Sequence, residues 1–143
     1  MAGSTIGDLE LAKRMGSDGD GTVIPTTFYS GVSDKAKAFE TEMNKCAKAA
    51  GIERTGVSQF EAATYDIVKF YAYAMKQAKM TGDPAKLVDE RTAIRDALRA
   101  MSDYPALERP ISFGKNGDAL KPVYIIEMKG GSWNLIGTHP AGS

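Results

Sequence analysis

The sequence predicts an α/β fold with three main helices, an edge strand and a terminal β-hairpin. Three observations lead to this prediction: helical periodicity in the middle of the chain, a β-branched run before it, and short apolar runs separated by turns after it. With 143 residues, 43% apolar and 25% charged, the chain has the composition of an ordinary folded domain.

The first elements are short. Residues 6–15 predict a short helix that stops at Gly16, and residues 17–21, SDGDG, predict a turn. Residues 22–29, TVIPTTFY, are rich in β-branched and aromatic side chains and predict a strand. Because Pro25 cannot donate a hydrogen bond to a neighbouring strand, we expect this strand to lie at a sheet edge or to bend.

The first main helix has the clearest signals. Ser33 and Asp34 supply an N-cap and a negative charge in the first turn, and Gly51 closes the segment. Its apolar stripe consists of Ala36, Phe39, Met43, Cys46, Ala47 and Ala50. The spacing predicts an amphipathic helix, and Cys46, as part of the stripe, is expected to be a core thiol rather than a nucleophile.

Two further helices are predicted, at about residues 58–79 and 84–101. The earlier one is apolar on several sides, so we expect it to need cover on more than one face. Asp83-Pro84 is typical of an N-cap followed by proline at the first helical position, which predicts the start of the later helix.

Short strands and turns are predicted after the two prolines at 105 and 110. Residues 111–113, 123–128 and 132–137 predict strands, and Asn116-Gly117 and Gly130-Gly131 predict hairpin turns. Three helices therefore accompany an isolated early strand and a terminal hairpin. Because strand edges and apolar helix faces need cover, this inventory indicates part of a larger α/β protein.

Charge and hydropathy exclude several classes of function. Lys+Arg and Asp+Glu number 18 each, so the sequence has no excess of positive charge with which to bind nucleic acid. No apolar run approaches the roughly 20 residues of a membrane span. The first residues lack a basic start followed by an apolar stretch, so we expect no signal peptide there.

Motifs for chemistry are also missing from the sequence. It contains one histidine, His139, and one cysteine, and no CxxC, HExxH, GxGxxG or GxSxG pattern. Asp18 and Asp20 imitate the opening of a calcium loop, but apolar residues follow where oxygen ligands would be needed. We therefore predict no catalytic residues, no metal site, no cofactor and no enzymatic activity.

Three aromatic residues are candidates for a ligand site. Phe28 and Tyr29 end the early strand and Phe60 begins a helix, and such positions commonly line pockets in α/β proteins. The alternative is core packing, which the spacing alone favours.

Five segments carry a resemblance to a known family. They are GDGTVIPTTFYSG, the helix around Phe39, FEAATYDIVKFYAYAMKQA, ALRAM and ISFGKNGDALKPVYIIEMKGGSW, and they span residues 17–136. In this order they resemble the C-terminal part of the leucine/isoleucine/valine-binding family of periplasmic substrate-binding proteins. The Tyr65-Asp66 pair and the turn from Phe113 to Asp118 match features of that family.

The resemblance implies the C-terminal portion of a type I periplasmic-binding-protein-like clamshell. It assigns residues 1–30 to the end of lobe two and the hinge-crossing strand. It assigns residues 31–108 to the helical part of lobe one, and residues 109–143 to the return crossing and the terminal strands of lobe two. Each lobe of such a protein is a parallel-sheet α/β unit, and this chain would complete neither.

The resemblance also implies a function. The chain would be a fragment of the periplasmic substrate-binding component of an ABC importer for branched-chain or aromatic amino acids or related small carboxylates. Its partners would be the ligand, the remainder of the binding protein and the membrane permease, without nucleic acid. Phe60 lies five residues before Tyr65, where family members place an aromatic against the ligand; Tyr29 and Phe28 are weaker candidates.

A second hypothesis belongs to a different class. The helix at 58–79 could make the chain a ligand-free self-association module, an orphan fragment that forms a homo-oligomer through an apolar interface.

Overall fold

A computed structural model describes residues 9–53 and 56–141. The chain divides into two compact units, which we call the sheet unit (Met1–Ala62 with Lys121–Ser143) and the helix-pair unit (Ala63–Leu120). These divisions differ from the boundaries at 30/31 and 108/109 that the resemblance implies, and the assignment of segments to lobes stays a prediction.

The described elements follow the α/β order expected from the sequence. The helices are α1 (Leu9–Met15), α2 (Asp34–Ala49), α3 (Gln59–Gln77) and α4 (Leu87–Arg99). The strands are β1 (Val23–Thr26), β2 (Tyr104–Pro105), β3 (Pro110–Ile111), β4 (Val123–Lys129) and β5 (Ser132–His139). Short 3₁₀ turns occur at Gly16–Gly19, Ser30–Val32 and Pro84–Lys86. The predicted fold class, with three main helices, an edge strand and a terminal hairpin, is confirmed.

The sheet unit contains three strands in the order β1-β4-β5, and each pairing is antiparallel. β1 lies at one edge of this described sheet, as Pro25 predicts. β4 and β5 form the predicted hairpin, and Gly130 and Gly131 take φ values of +60° and +73° at its turn. Such positive φ angles suit a tight turn that continues the strand twist.

The core of the sheet unit forms on one face of β4. Side chains along β4 alternate between half-buried and buried positions, as the two-residue period of a strand requires. The core cluster consists of Ala12, Ile24, Ile126, Met128 and Trp133, with Met15 and Tyr29 packed against it. α1 and the three strands are therefore held by a shared apolar core.

α2 confirms the predicted cap and corrects one prediction about its buried face. Ser33 Oγ accepts a hydrogen bond from the Ala36 N–H at 3.1 Å, and the helix buries Ala36, Phe39 and Ala47. The prediction that Cys46 is a core thiol was wrong, because Cys46 is exposed. It lies one residue, and therefore about 100° around the helix axis, from the buried Ala47, at the edge of the stripe.

The helix-pair unit has a second core, built on aromatic contacts. It contains Phe70, Met101, Ala106 and Ile111, with Tyr73, Leu98, Tyr104 and Phe113 packed around them. The Phe70 ring meets the rings of Tyr104 and Phe113 edge-to-face, with centroids 5.5 and 5.8 Å apart. These are favourable geometries for aromatic pairs, so Phe70 fixes the position of α3 in this unit.

α4 begins later than the sequence predicts. The Ala85 N–H donates to Asp83 Oδ1 at 2.9 Å, as expected of a cap, but residues 84–86 form a 3₁₀ turn before α4 begins. Glu90 is buried and accepts hydrogen bonds from the N–H and the hydroxyl of Thr81 at 2.7 and 2.6 Å. Chiefly because of the Thr81 hydroxyl, the pKa of Glu90 is lowered.

Candidate functional site

The candidate site consists of the segment that follows β1 and the first turn of α3, both in the sheet unit. A capping box fixes where α3 begins. Glu61 Oε2 accepts from the Ser58 N–H at 2.9 Å and also bonds the Ser58 hydroxyl, while the Phe60 N–H donates to Ser58 Oγ at 3.2 Å. This S-x-x-E pattern satisfies amide groups that would otherwise lack partners, and it places Gln59 and Phe60 in the first helical turn.

Gln59 ties the end of β1 to this turn. Its Oε1 accepts hydrogen bonds from the Thr27 N–H at 3.2 Å and from the Thr27 hydroxyl at 3.3 Å. A backbone N–H can only donate, so the amide oxygen must face Thr27. The Thr26 hydroxyl donates to the Phe28 carbonyl at 3.0 Å, which turns the chain where β1 ends. The strand is therefore shorter than the predicted 22–29.

The three predicted site residues differ in their surroundings. Phe28 is 5% exposed and its ring meets Phe39 edge-to-face at 6.0 Å. Tyr29 packs against the core, and its hydroxyl donates to the Trp133 carbonyl at 2.9 Å. Phe60 is 55% exposed. Of the three side chains, only Phe60 presents most of its ring to solvent, where a ligand could contact it.

The Tyr65-Asp66 pair has two separate structural roles in the helix-pair unit. Asp66 is buried and accepts a hydrogen bond from the Leu107 N–H at 2.9 Å. Tyr65 is partly exposed, and Lys69 Nζ lies 4.3 Å from the centre of its ring. A hydrogen bond with Tyr65 is the main reason why the pKa of Lys69 is raised. Asp66 therefore ties α3 to the segment at Leu107, whereas Tyr65 contacts Lys69 within the same helix.

Sequence reasoning did not single out Gln59 or Thr27. The S-x-x-E pattern at 58–61 could have located the helix start and hence Gln59 beside Phe60. Its contact with Thr27, 32 residues away, has no local signal. Within residues 9–53 and 56–141, no group of three or more His, Cys, Asp or Glu side chains is arranged to hold a metal ion.

Comparison with known proteins defines the class. The family model for periplasmic binding proteins matches residues 1–132. This chain belongs to the periplasmic binding protein family, and the resemblance noted in its sequence is confirmed. A search of curated proteins found no match.

Solved structures agree with the family and give the extent of the match. The leucine-binding protein LivK from Thermotoga maritima MSB8 is 20% identical with a TM-score of 0.74, over 97% of this chain and 36% of LivK. A solute-binding protein of an ABC transporter from R. palustris, in complex with benzoate, is 20% identical with a TM-score of 0.73. The match covers 93% of this chain and 34% of that protein. LivJ from Streptococcus pneumoniae str. Canada MDR_19A, in complex with isoleucine, is 25% identical with a TM-score of 0.58. The match covers 83% of this chain and 30% of LivJ.

The chain thus spans about a third of the length of these solute-binding proteins. None of the helices among the described residues has both the length and the apolarity needed to cross a membrane.

Proposed function

We propose that this chain acts as part of the periplasmic substrate-binding component of an ABC importer for branched-chain or aromatic amino acids or related small carboxylates. The observation that carries the proposal is the family match over residues 1–132, with a fold shared with solved solute-binding proteins. The ligand would be held in a cleft completed by the remainder of the binding protein, and closure of the two lobes would distinguish the loaded form for the permease.

Phe60 is the residue we propose to contact the ligand. It is the most exposed of the three candidates, and the capping box holds it in a defined helical turn. A preorganised aromatic side chain can pack against a ligand at low entropic cost. Phe28 and Tyr29, with partners in the core, would support the segment beside it.

The first test asks whether the chain has a companion. The tagged chain is purified from the cells that naturally make it and studied by native and denaturing mass spectrometry. We expect a second, longer polypeptide of the same family to travel with it. A lone chain would contradict the proposal as a transport component.

The second test uses this complex for ligand binding. Leucine, isoleucine, valine, phenylalanine and benzoate are titrated by calorimetry, and at least one is expected to bind at submillimolar concentration. Phe60→Ala should weaken binding about tenfold or more, since truncating a large aromatic contact typically costs more than about 1 kcal/mol. Met75→Ala, at another exposed position of α3, is the matched control and should leave affinity unchanged.

One observation favours the second hypothesis, self-association without a ligand. α3 exposes several large apolar side chains: Ile67, Val68, Tyr71 and Met75. Contiguous apolar surface of this kind commonly marks a contact with another protein. Sedimentation that shows a folded monomer at every concentration would remove this hypothesis.

A further inference from the structure

The helix-pair unit contains a pocket of about 330 Å³, formed by α3, the end of α4 and the turn after β3. Its lining includes Ile67, Phe70, Tyr71, Leu98, Arg99 and Phe113. The volume lies in the range of small-molecule sites, in which apolar walls hold the body of a ligand and a few polar groups orient it. The residues of this pocket do not include Phe60, Tyr29 or Phe28.

The apolar wall is held in place by contacts outside the pocket. Phe70 is 5% exposed and is fixed edge-to-face by Tyr104 as well as by Phe113. The turn that carries Phe113 is closed by a hydrogen bond from the Gly114 N–H to the Asp118 carbonyl at 2.8 Å. A wall that needs little ordering on binding favours affinity.

Two polar groups of the pocket have unused hydrogen-bonding capacity. Within the described parts of the chain, neither the guanidinium of Arg99 nor the hydroxyl of Tyr71 has a hydrogen-bond or ion-pair partner. Arg95, one turn earlier on α4, differs because its guanidinium bonds Asp96 Oδ1 at 2.7 and 2.8 Å. Arg99, the arginine that lines the pocket, is therefore available to an anion, whereas Arg95 is not.

The surroundings add positive charge. Tyr71, Leu98 and Arg99 also line an adjoining groove of about 430 Å³, together with Arg91 and Arg95. Three arginines thus follow one another at four-residue spacing along one side of α4. The described residues that line the pocket include no Asp or Glu, and the carboxylate of Asp96, beside the groove, already bonds Arg95, so an ammonium group in the pocket would find no free carboxylate among them.

We propose that this pocket binds a small carboxylate with an aromatic or branched apolar group and discriminates against the corresponding α-amino acid. The guanidinium of Arg99 would donate two parallel hydrogen bonds to the carboxylate, and the Tyr71 hydroxyl would donate one more. The apolar group would pack against Phe70 and Phe113. An amino acid would have to place its ammonium in this site without a partner, which is unfavourable.

The test compares phenylpropanoate with phenylalanine, which differs from it only by the amino group. Amide NMR spectra of the whole chain are recorded during titration with each compound at neutral pH and equal ionic strength. We expect saturable shifts in residues 63–120 with phenylpropanoate, with a Kd on the order of 1 mM for a ligand of this size. Phenylalanine should bind at least about tenfold more weakly, because its ammonium lacks a partner.

Three variants test whether binding of phenylpropanoate depends on Arg99 and on this pocket. Arg99→Gln should weaken the binding of phenylpropanoate about tenfold or more, since it removes a pair of charge-assisted hydrogen bonds. Arg95→Gln removes the same charge one turn away and should change the Kd less than about twofold, because long-range interaction at the surface is screened. Ile52→Ala, at an exposed apolar position outside the pocket, should leave the Kd unchanged, and confinement of the shifts to residues 63–120 distinguishes the pocket from the ligand contact of the proposed function.

Several results would overturn the proposal. They are the absence of saturable shifts, equal affinity for the two compounds, or equal losses in Arg99→Gln and Arg95→Gln. Sedimentation is run on the same samples. A dimer that covers the pocket, whose dissociation restores no phenylpropanoate binding, would assign this surface to a second copy of the chain instead. Dispersed amide spectra of each variant are required, so that unfolding is not mistaken for lost binding.

Discussion

Helices α2 and α3 each bury one face, but they expose different chemistry. The exposed positions of α2 are mainly charged, including Lys35, Lys37, Glu42, Lys45 and Lys48. α3 instead exposes Ile67, Val68, Tyr71 and Met75, each between 44% and 64%. The outer face of α2 is suited to water, whereas that of α3 is suited to another apolar surface. The comparison predicts that contacts with another protein involve the exposed face of α3 rather than that of α2.

The largest expected effect comes from the two buried phenylalanines. Phe39 on α2 and Phe70 on α3 are 8% and 5% exposed, and replacing either with alanine leaves a cavity in a packed aromatic contact. Each substitution should lower the free energy of unfolding by about 3–5 kcal/mol. Urea unfolding is followed by the fluorescence of Trp133, which lies in the core of the sheet unit, and by far-ultraviolet circular dichroism.

The two probes also show whether the units unfold together. If the two units unfold independently, Phe39→Ala should shift the unfolding transition reported by Trp133 fluorescence. Phe70→Ala should instead shift mainly the transition reported by the circular dichroism of the helices. Coincident shifts in both variants would show that the two units form a single cooperative structure. Met75→Ala is the control and should cost less than about 1 kcal/mol, because the side chain is largely exposed.

The next effect concerns the exposed face of α3. Val68 is 64% exposed, so Val68→Lys should leave the fold intact and weaken any self-association more than about tenfold, because a charge would be buried in an apolar interface. Ala49→Lys, at an exposed position of α2, is the matched control. Dissociation constants from sedimentation equilibrium measure both. Equal weakening by the two variants would contradict the contrast between the helices.

The helix caps should give smaller effects. Ser33 caps α2 by accepting from the Ala36 N–H, and Ser58 accepts from the Phe60 N–H at the start of α3. Ser33→Ala and Ser58→Ala should each lower the free energy of unfolding by about 1 kcal/mol. Ser58→Ala should also loosen the first turn of α3, measured as faster amide hydrogen exchange there. Unchanged exchange would mean that Gln59 alone is enough to fix this turn.

The elements that the sequence predicts best are those with local signals. The cap at Ser33, the period of α2 and the Gly130-Gly131 turn each act within a few residues. The structure confirms the cap, the turn and the helix itself, and it buries the predicted stripe at Ala36, Phe39 and Ala47 but leaves Cys46 and Ala50 exposed. The pairing of Tyr104–Pro105 with Pro110–Ile111 was not predicted. Each segment is two residues long and contains a proline, so its pairing depends on the surrounding core rather than on strand propensity.

The candidate site shows the same division between local and distant information. The sequence identifies Phe60 as a helix-start aromatic, but spacing cannot tell an exposed ring from a buried one, as Phe28 illustrates. The hydrogen bonds between Gln59 and Thr27 depend on the tertiary fold. The buried stripe of α2 was predicted too widely at Cys46, since the packing surface ends before the stripe does.

The smallest expected effect is a loss of stability of the helix-pair unit at acidic pH. Hydrogen bonds from Thr81 lower the pKa of Glu90 below its ordinary value of about 4.5. A lowered pKa in the folded state means that the ionised carboxylate stabilises the fold above the pKa of the unfolded chain. That stabilisation is lost as the pH falls from about 4.5 through the pKa of Glu90 in the folded state.

Glu90→Gln keeps an oxygen that accepts from Thr81, but its side chain does not titrate. The free energy of unfolding of this variant should therefore fall less steeply over this pH window. Asp89→Asn controls for the change in net charge, and urea midpoints at several pH values provide the measurement. A slope in Glu90→Gln equal to that of the parent chain would show that the Thr81 contact adds nothing to acid sensitivity.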